Sequence, residues 1–151
     1  MIQKGTKVGF ASDHAGFPMK EVLKKEFQTL YPEAEVIDFG TDSFASVDYP
    51  DYAHKLGEAV SQGVVAYGVA SCGTANGITM TLNRHPGVRA AIVWSPEVAS
   101  LVRRHNDANV LSIPGRFVTL TEGAEYLKIF FETEFEGGRH RGRLDKIDGN
   151  H

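Results

Sequence analysis

Short apolar runs alternate along the whole chain with stretches whose apolar residues return at helical intervals. Lys7 to Ser12 (KVGFAS) reads as a first strand. After a turn over Asp13 to Phe17, Pro18 sits in the first turn of a helix whose Met19, Val22, Leu23, Phe27 and Leu30 form one buried stripe. Glu35 to Phe39 reads as a second strand closed by Gly40. The polar connection from Thr41 to Asp51 leads into a helix striped by Tyr52, Leu56, Ala59 and Val60. Val64 to Ala70 is the third strand, and a segment with helical spacing follows Ser71-Cys72-Gly73-Thr74. His85-Pro86-Gly87 is a turn before a fourth strand, Val88 to Trp94. Ser95-Pro96-Glu97 then starts a helix backed by Val98, Leu101 and Val102. Asn109 to Ile113 is the fifth strand. Thr119 and Glu122 have capping-box spacing ahead of a last helix with Ala124, Leu127 and Phe131, and residues 136–151 read as a polar tail containing Arg139, Arg141 and Arg143.

Five strand-helix alternations with short links predict a parallel five-stranded sheet with right-handed crossovers and helices on both faces. This is a doubly wound, Rossmann-like α/β fold, read as a single domain over residues 1–151. Ligands of such sheets sit beyond the carboxyl ends of the strands. That rule nominates Asp13 and His14 after strand one, Cys72 to Gly77 after strand three, and Arg116 after strand five.

Composition narrows the partners. With 151 residues, 42% of them hydrophobic, the chain is long enough for a substantial core, and a net charge of −3 gives no electrostatic footprint for nucleic acid or membrane. One cysteine cannot form an internal disulfide, and the N-terminus lacks a long apolar run, so the cytoplasm is the expected compartment.

That cysteine lies at a strand-to-helix turn, where unpaired N–H groups can hold an anion or lower a thiol's pKa, so Cys72 is expected to be a thiolate. A lone cysteine is otherwise a small buried hydrophobe. Gly73, Thr74, Asn76 and Gly77 favour the chemical role, because small residues with accessible amides suit a loop that approaches a ligand with its backbone. Familiar anion sites are excluded by spacing. There is no G-x-G-x-x-G, and Gly68 to Thr74 lacks the lysine of a phosphate loop. A phosphatase of the Cys-x5-Arg type would want arginine where Ile78 stands, and no second cysteine exists for a redox pair. The six histidines, at 14, 54, 85, 105, 140 and 151, show no metal-ligand spacing, so no metal is expected.

SDHAGF at 12 to 17, DYPDYA at 48 to 53, SCGTANG at 71 to 77, GVRAA at 87 to 91, RHNDANVL at 104 to 111 and EGGRH at 136 to 140 together resemble the ribose-5-phosphate isomerase B family, whose galactose-6-phosphate and allose-6-phosphate isomerases share the fold. The resemblance implies an aldose-ketose isomerisation of ribose 5-phosphate and ribulose 5-phosphate through a cis-enediolate, without metal or cofactor. It implies that Cys72 is the base and His105 the acid/base that opens the sugar ring, assisted by Thr74. The amides of Gly73, Thr74, Ala75, Asn76 and Gly77 would form the anion hole. Asp13, His14, Tyr49 and Asn106 would bind sugar hydroxyls or phosphate, and Arg116, Arg139 and Arg143 would hold the phosphate. A six-carbon sugar phosphate as substrate, or a binding module without catalysis, are the alternatives; the retained pair of Cys72 and His105 favours an enzyme.

Plainer roles stand beside these. Asp13 and His14 could serve the first turn, Tyr49 and Trp94 could be packing residues, the arginines a solvated tail, and His105-Asn106-Asp107 a helix end. Ala75 departs from the family's Cys-Gly-Thr-Gly-x-Gly, at a cost of about 1 kcal/mol if φ is positive there. Relatives that lack the cysteine use a glutamate whose position here is Ile78, so the chain is of the cysteine type. Direction along the sheet adds an expectation about assembly. Cys72 falls at the carboxyl edge, while His105 and Asn106, before strand five, fall at the amino edge, roughly 17 Å away. A second chain must then bring them together, which predicts a homodimer with shared sites.

Overall fold

The computed structural model describes residues 1–149; Asn150 and His151 lie outside the described residues. The elements run β1 (Lys7–Ser12), α1 (Phe17–Leu30), β2 (Glu35–Asp38), α2 (Tyr49–Ser61), β3 (Tyr67–Cys72), α3 (Asn76–Leu82), β4 (Ala90–Ile92), α4 (Pro96–Arg104), β5 (Val110–Pro114), α5 (Leu120–Glu132) and α6 (Arg139–Ile147). The five strands form one sheet in the order β2-β1-β3-β5-β4, with every pair parallel. From β1 the chain crosses to β2 on one side and places β3 on the other, so a crevice opens between the carboxyl ends of β1 and β3. The register sets Ser12 beside Ser71 and Cys72 beside Pro114. Residues following β1 and β5 therefore flank the end of β3.

Each face of the sheet is covered. Met19, Leu23 and Phe27 of α1, Ala99 of α4, and Leu127, Phe130 and Phe131 of α5 pack over Val8, Phe10, Val69, Leu111 and Ile113. On the other face Ala53, Leu56 and Ala59 of α2, with Ile78 and Leu82 of α3, close over Ala11, Ala70, Cys72 and Val110. Each fully buried Leu or Phe contributes about 1.5–3 kcal/mol. Because alternate strand residues point to opposite faces, the same alternation that puts Val69 under α1 delivers Cys72 to the side of α2 and α3. Buried Lys20 ties α1 to the end of β2 through Asp38 at 2.7 Å. Burial alone would raise the Asp38 carboxyl, but Lys20, Lys24 and the Gly40 N–H outweigh it and hold it below the usual range.

The expected β1 is reproduced residue for residue, and β2 and β5 differ by one residue at their ends. β3 starts at Tyr67 rather than Val64, since the N–H groups of Val64 and Val65 bond to Ala59 O and so close α2 instead of entering the sheet. It continues through Ser71, whose hydroxyl donates to Ile113 O at 2.7 Å. β4 keeps three of the seven expected residues: Val88 N bonds back to His85 O, and Trp94 is 60% exposed. The expected polar tail contains helix α6, which buries only His140 and Leu144. Two inward residues four apart are too few to make an apolar stripe visible. Among the described residues no helix is long and apolar enough to cross a membrane.

Candidate functional site

At the carboxyl edge, the turn after β1 rests directly on β3. A methyl group added at Gly16 would lie 2.1 Å from the Ser71 carbonyl oxygen, so only glycine lets α1 start this close. The Gly16 N–H donates to Asp13 Oδ1 at 2.9 Å, which fixes the buried Asp13 close enough to Cys72 for its charge to act on the thiol. His14 Nδ1 accepts from the Val47 N–H at 3.1 Å. A neutral imidazole that accepts at Nδ1 carries its proton on Nε2, which leaves that nitrogen as the His14 donor. The plain roles and the ligand roles of Asp13 and His14 are thus compatible, each side chain using one atom for the turn.

The loop from Gly73 to Gly77 closes over the thiol. Ala75 sits at the N-cap of α3 with φ 65° and ψ −4°, the left-handed region. The residue that departs from the family pattern therefore occupies the position where glycine is unstrained, at a cost of about 1 kcal/mol. The Thr74 hydroxyl accepts from the Asn76 N–H at 3.2 Å. The Tyr49 ring covers Gly77, where an added methyl would meet its Cζ at 2.4 Å. Arg116 lies along Gly73, with its N–H donating to Gly73 O at 3.0 Å.

The thiol itself differs from expectation. Burial pushes Cys72 up, Asp13 adds to the rise, and the N–H groups of Ile78, Ala75 and Thr74 pull it down without reversing the sum. A helix-end amide cluster predicts a thiolate only when the sulfur remains hydrated. Here Cys72 is 4% exposed, and within one chain burial outweighs the amides and pushes the thiol above its ordinary range.

At the amino edge a second group forms. His105 is the C-cap of α4, with its N–H on Leu101 O. Arg89 Nε donates to the carbonyls of Asn106 and Asp107, each at 3.2 Å, and Arg103 and Arg89 grip the Asp107 carboxylate at 2.9 and 3.3 Å. These bonds hold Asp107 at φ 44° and fix the turn that presents His105 and Asn106. α6 docks against the same place through Glu136, whose N–H donates to Arg104 O at 3.0 Å and whose carboxylate pairs with Arg104 Nε at 2.9 Å. Arg139 and Arg143 are exposed on α6, and the His105 ring stacks on buried His140 with centroids 4.4 Å apart. From Pro114, beside Cys72, back to Val110 is already about 13 Å along β5 at ~3.3 Å per residue, and the His105 turn precedes Val110. The predicted residues are therefore gathered as two groups: Asp13, His14, Tyr49, Cys72 to Gly77 and Arg116 in one, and His105, Asn106, Arg139 and Arg143 in the other. Sequence reasoning missed Arg89 and His140, although GVRAA and EGGRH contain them.

His105, Glu136 and His140 bring possible ligand atoms within 4.8 Å of one another, a grouping invisible in their spacing along the chain. The imidazoles lie only 17° from parallel, so their in-plane lone pairs run side by side instead of converging, and Arg104 already engages Glu136. In this geometry the three make a stack and an ion pair.

Fold and site define a doubly wound α/β protein with a thiol, main-chain amides and Asp13 at the topological switch point, and with arginines on a separate face. A family model described as Ribose/Galactose Isomerase matches residues 8–147, and the chain belongs to that family. It is 39% identical over 143 residues to ribose-5-phosphate isomerase B of Escherichia coli (strain K12), covering 93% of each. The solved structure of Clostridium thermocellum ribose-5-phosphate isomerase B is similar with a TM-score of 0.91 and 40% identity over 95% of both chains. That of Mycoplasma genitalium ribose-5-phosphate isomerase B with bound ribulose-5-phosphate gives 0.90 at 37% identity, covering 97% of this chain and 96% of that one.

Proposed function

We propose that the protein interconverts ribose 5-phosphate and ribulose 5-phosphate through a cis-enediolate, without metal or cofactor, in the cytoplasm, as a homodimer with two shared sites. One observation carries the reading: Cys72 ends β3 at the switch point beneath the N–H groups of Thr74, Ala75 and Ile78, in a chain 37% identical to a protein with ribulose-5-phosphate bound. His105 opens the furanose by protonating the ring oxygen while a base takes the proton of the C1 hydroxyl. Ionised Cys72 then removes the C2 proton, the electron pair moves into the C1–C2 bond, and the carbonyl oxygen becomes the enediolate oxygen held by the loop amides. A proton then passes from the C2 hydroxyl to the C1 oxygen, and return of the Cys72 proton to C1, as the C2 carbonyl forms, completes the ketose. Thr74 assists ring opening. Asp13, His14, Tyr49 and Asn106 hold sugar hydroxyls, and Arg116, Arg139 and Arg143 hold the phosphate, whose remote binding positions C2 over the sulfur.

Assembly answers the problem of the upward-shifted thiol. A two-fold dimer that sets the amino-edge group of one chain against the carboxyl-edge group of its partner brings Arg139 and Arg143 toward Cys72, and nearby positive charge favours the thiolate. The test is an isomerisation assay in chelator-treated buffer with ribose 5-phosphate, allose 6-phosphate and galactose 6-phosphate. Turnover of the five-carbon substrate with higher kcat/KM is expected. A preference for a six-carbon substrate would move the assignment within the family, and no turnover of any of the three would leave a binding module.

A further inference from the structure

His105 has a weakness as a ring-opening group. It sits at a helix end, partly exposed, and among the described residues no hydrogen bond fixes its imidazole. What touches the ring face is His140, stacked at 4.4 Å and 17°. His140 is 5% exposed, and its Nε2 is buried without a hydrogen-bond partner, with the Glu136 carboxylate 3.8 Å away. Burial pushes the His140 imidazole below its ordinary range, and Arg139, His105 and Arg143 push the same way against Glu136 alone. A buried imidazole that forgoes a hydrogen bond is costly, and the cost needs a reason. A flat ring buried on α6 provides one: it is a plate against which a second imidazole settles in a single orientation.

Resting on the isomerase reading above, we propose that His140 is a positioning residue for ring opening, which aims His105 at the furanose through the stack and takes no part in proton transfer between C1 and C2. The Glu136–Arg104 pair, which ties the segment leading into α6 to the end of α4, sets the height of the plate. A side chain that must deliver a proton works only within a narrow range of distance and angle, so freeing the His105 ring should slow the step it serves and leave the other step alone.

The two steps can be read separately. Net conversion of ribose 5-phosphate requires ring opening, whereas exchange of a C1 hydrogen of open-chain ribulose 5-phosphate with deuterium oxide requires only enediolate formation. At saturating substrate, His140→Ala is expected to lower ribose 5-phosphate turnover tenfold or more while C1 exchange stays within twofold of wild type. His140→Phe, which keeps a stacking ring, should recover most of the turnover. His105→Ala should show the same split. Unchanged turnover in His140→Ala, or turnover and exchange falling together, would overturn the proposal. A wild-type protein with neither turnover nor exchange would instead remove the isomerase reading beneath it, and a His105→Ala variant without the split would remove the role of His105.

Discussion

The two groups of site residues are built by different means. The carboxyl-edge group is made of backbone: a strand end, a left-handed N-cap at Ala75, and a turn pressed onto Ser71 so closely that Gly16 admits no methyl group. The amino-edge group is made of side-chain pairs, with His105 on His140, Glu136 on Arg104 and Asp107 between two arginines. Backbone placed by a sheet cannot shift without unfolding something, whereas side-chain pairs hold their geometry only while each partner stays in place. The contrast matches the proposed division of labour. Proton transfer at carbon rests on fixed backbone, while ring opening and phosphate binding rest on side chains that their neighbours must aim.

The largest effect tests whether the groups meet across two chains. Cys72→Ala and His105→Ala should each lower kcat by about 10²–10⁴-fold. Mixed under conditions that exchange subunits, the two inactive proteins should regain about a quarter of wild-type sites, because half of the random dimers are mixed and each holds one intact pair. No recovery despite proven exchange would mean that one chain completes its own site.

Next comes the difference in tolerance. Gly16→Ala should cost about 3 kcal/mol and lower Tm by roughly 6–12 °C, since the methyl meets backbone that has nowhere to move. Gly142→Ala, in α6 with nothing within 4 Å of the added carbon, should instead stabilise by about 0.5–1 kcal/mol. Thermal melts of both variants check the pair, and similar losses would dissolve the distinction drawn between the two edges. The smallest effect is at Ala75. Relief of left-handed strain, about 1–2 kcal/mol, is partly offset by the chain entropy of glycine. Ala75→Gly should therefore gain about 0.5 kcal/mol in a denaturant titration, and a loss of stability would show that the buried methyl packs better than the backbone is strained.

The sequence made the carboxyl-edge group easier to read than the amino-edge one, for the same structural reason. A strand that ends in Ser71-Cys72-Gly73 announces a turn by composition, and local order along the chain fixes its neighbours. His140 meets His105 only through folding across 35 positions, which no local pattern records. Helix α6 hid because its inward residues number two, and Val64 and Val65 misled because apolar residues closing a helix look like the start of a strand. The direction of the Cys72 shift was unreadable for a different reason: the amides that would stabilise a thiolate are visible as small residues, but the desolvation that outweighs them depends on α2 and α3 packing over the sheet.

That shift also bears on the protein's exposure to oxidants. Peroxide attacks the thiolate and not the thiol, and a sulfenic acid formed on a chain with one cysteine has no internal partner to rescue it as a disulfide. In a single subunit, burial shields Cys72 and pushes its thiol above the ordinary range, and both effects disfavour attack. On the proposed assembly the partner's arginines make the sulfur reactive and a bound sugar phosphate then shields it, so vulnerability to oxidation should follow the fraction of assembled, empty sites.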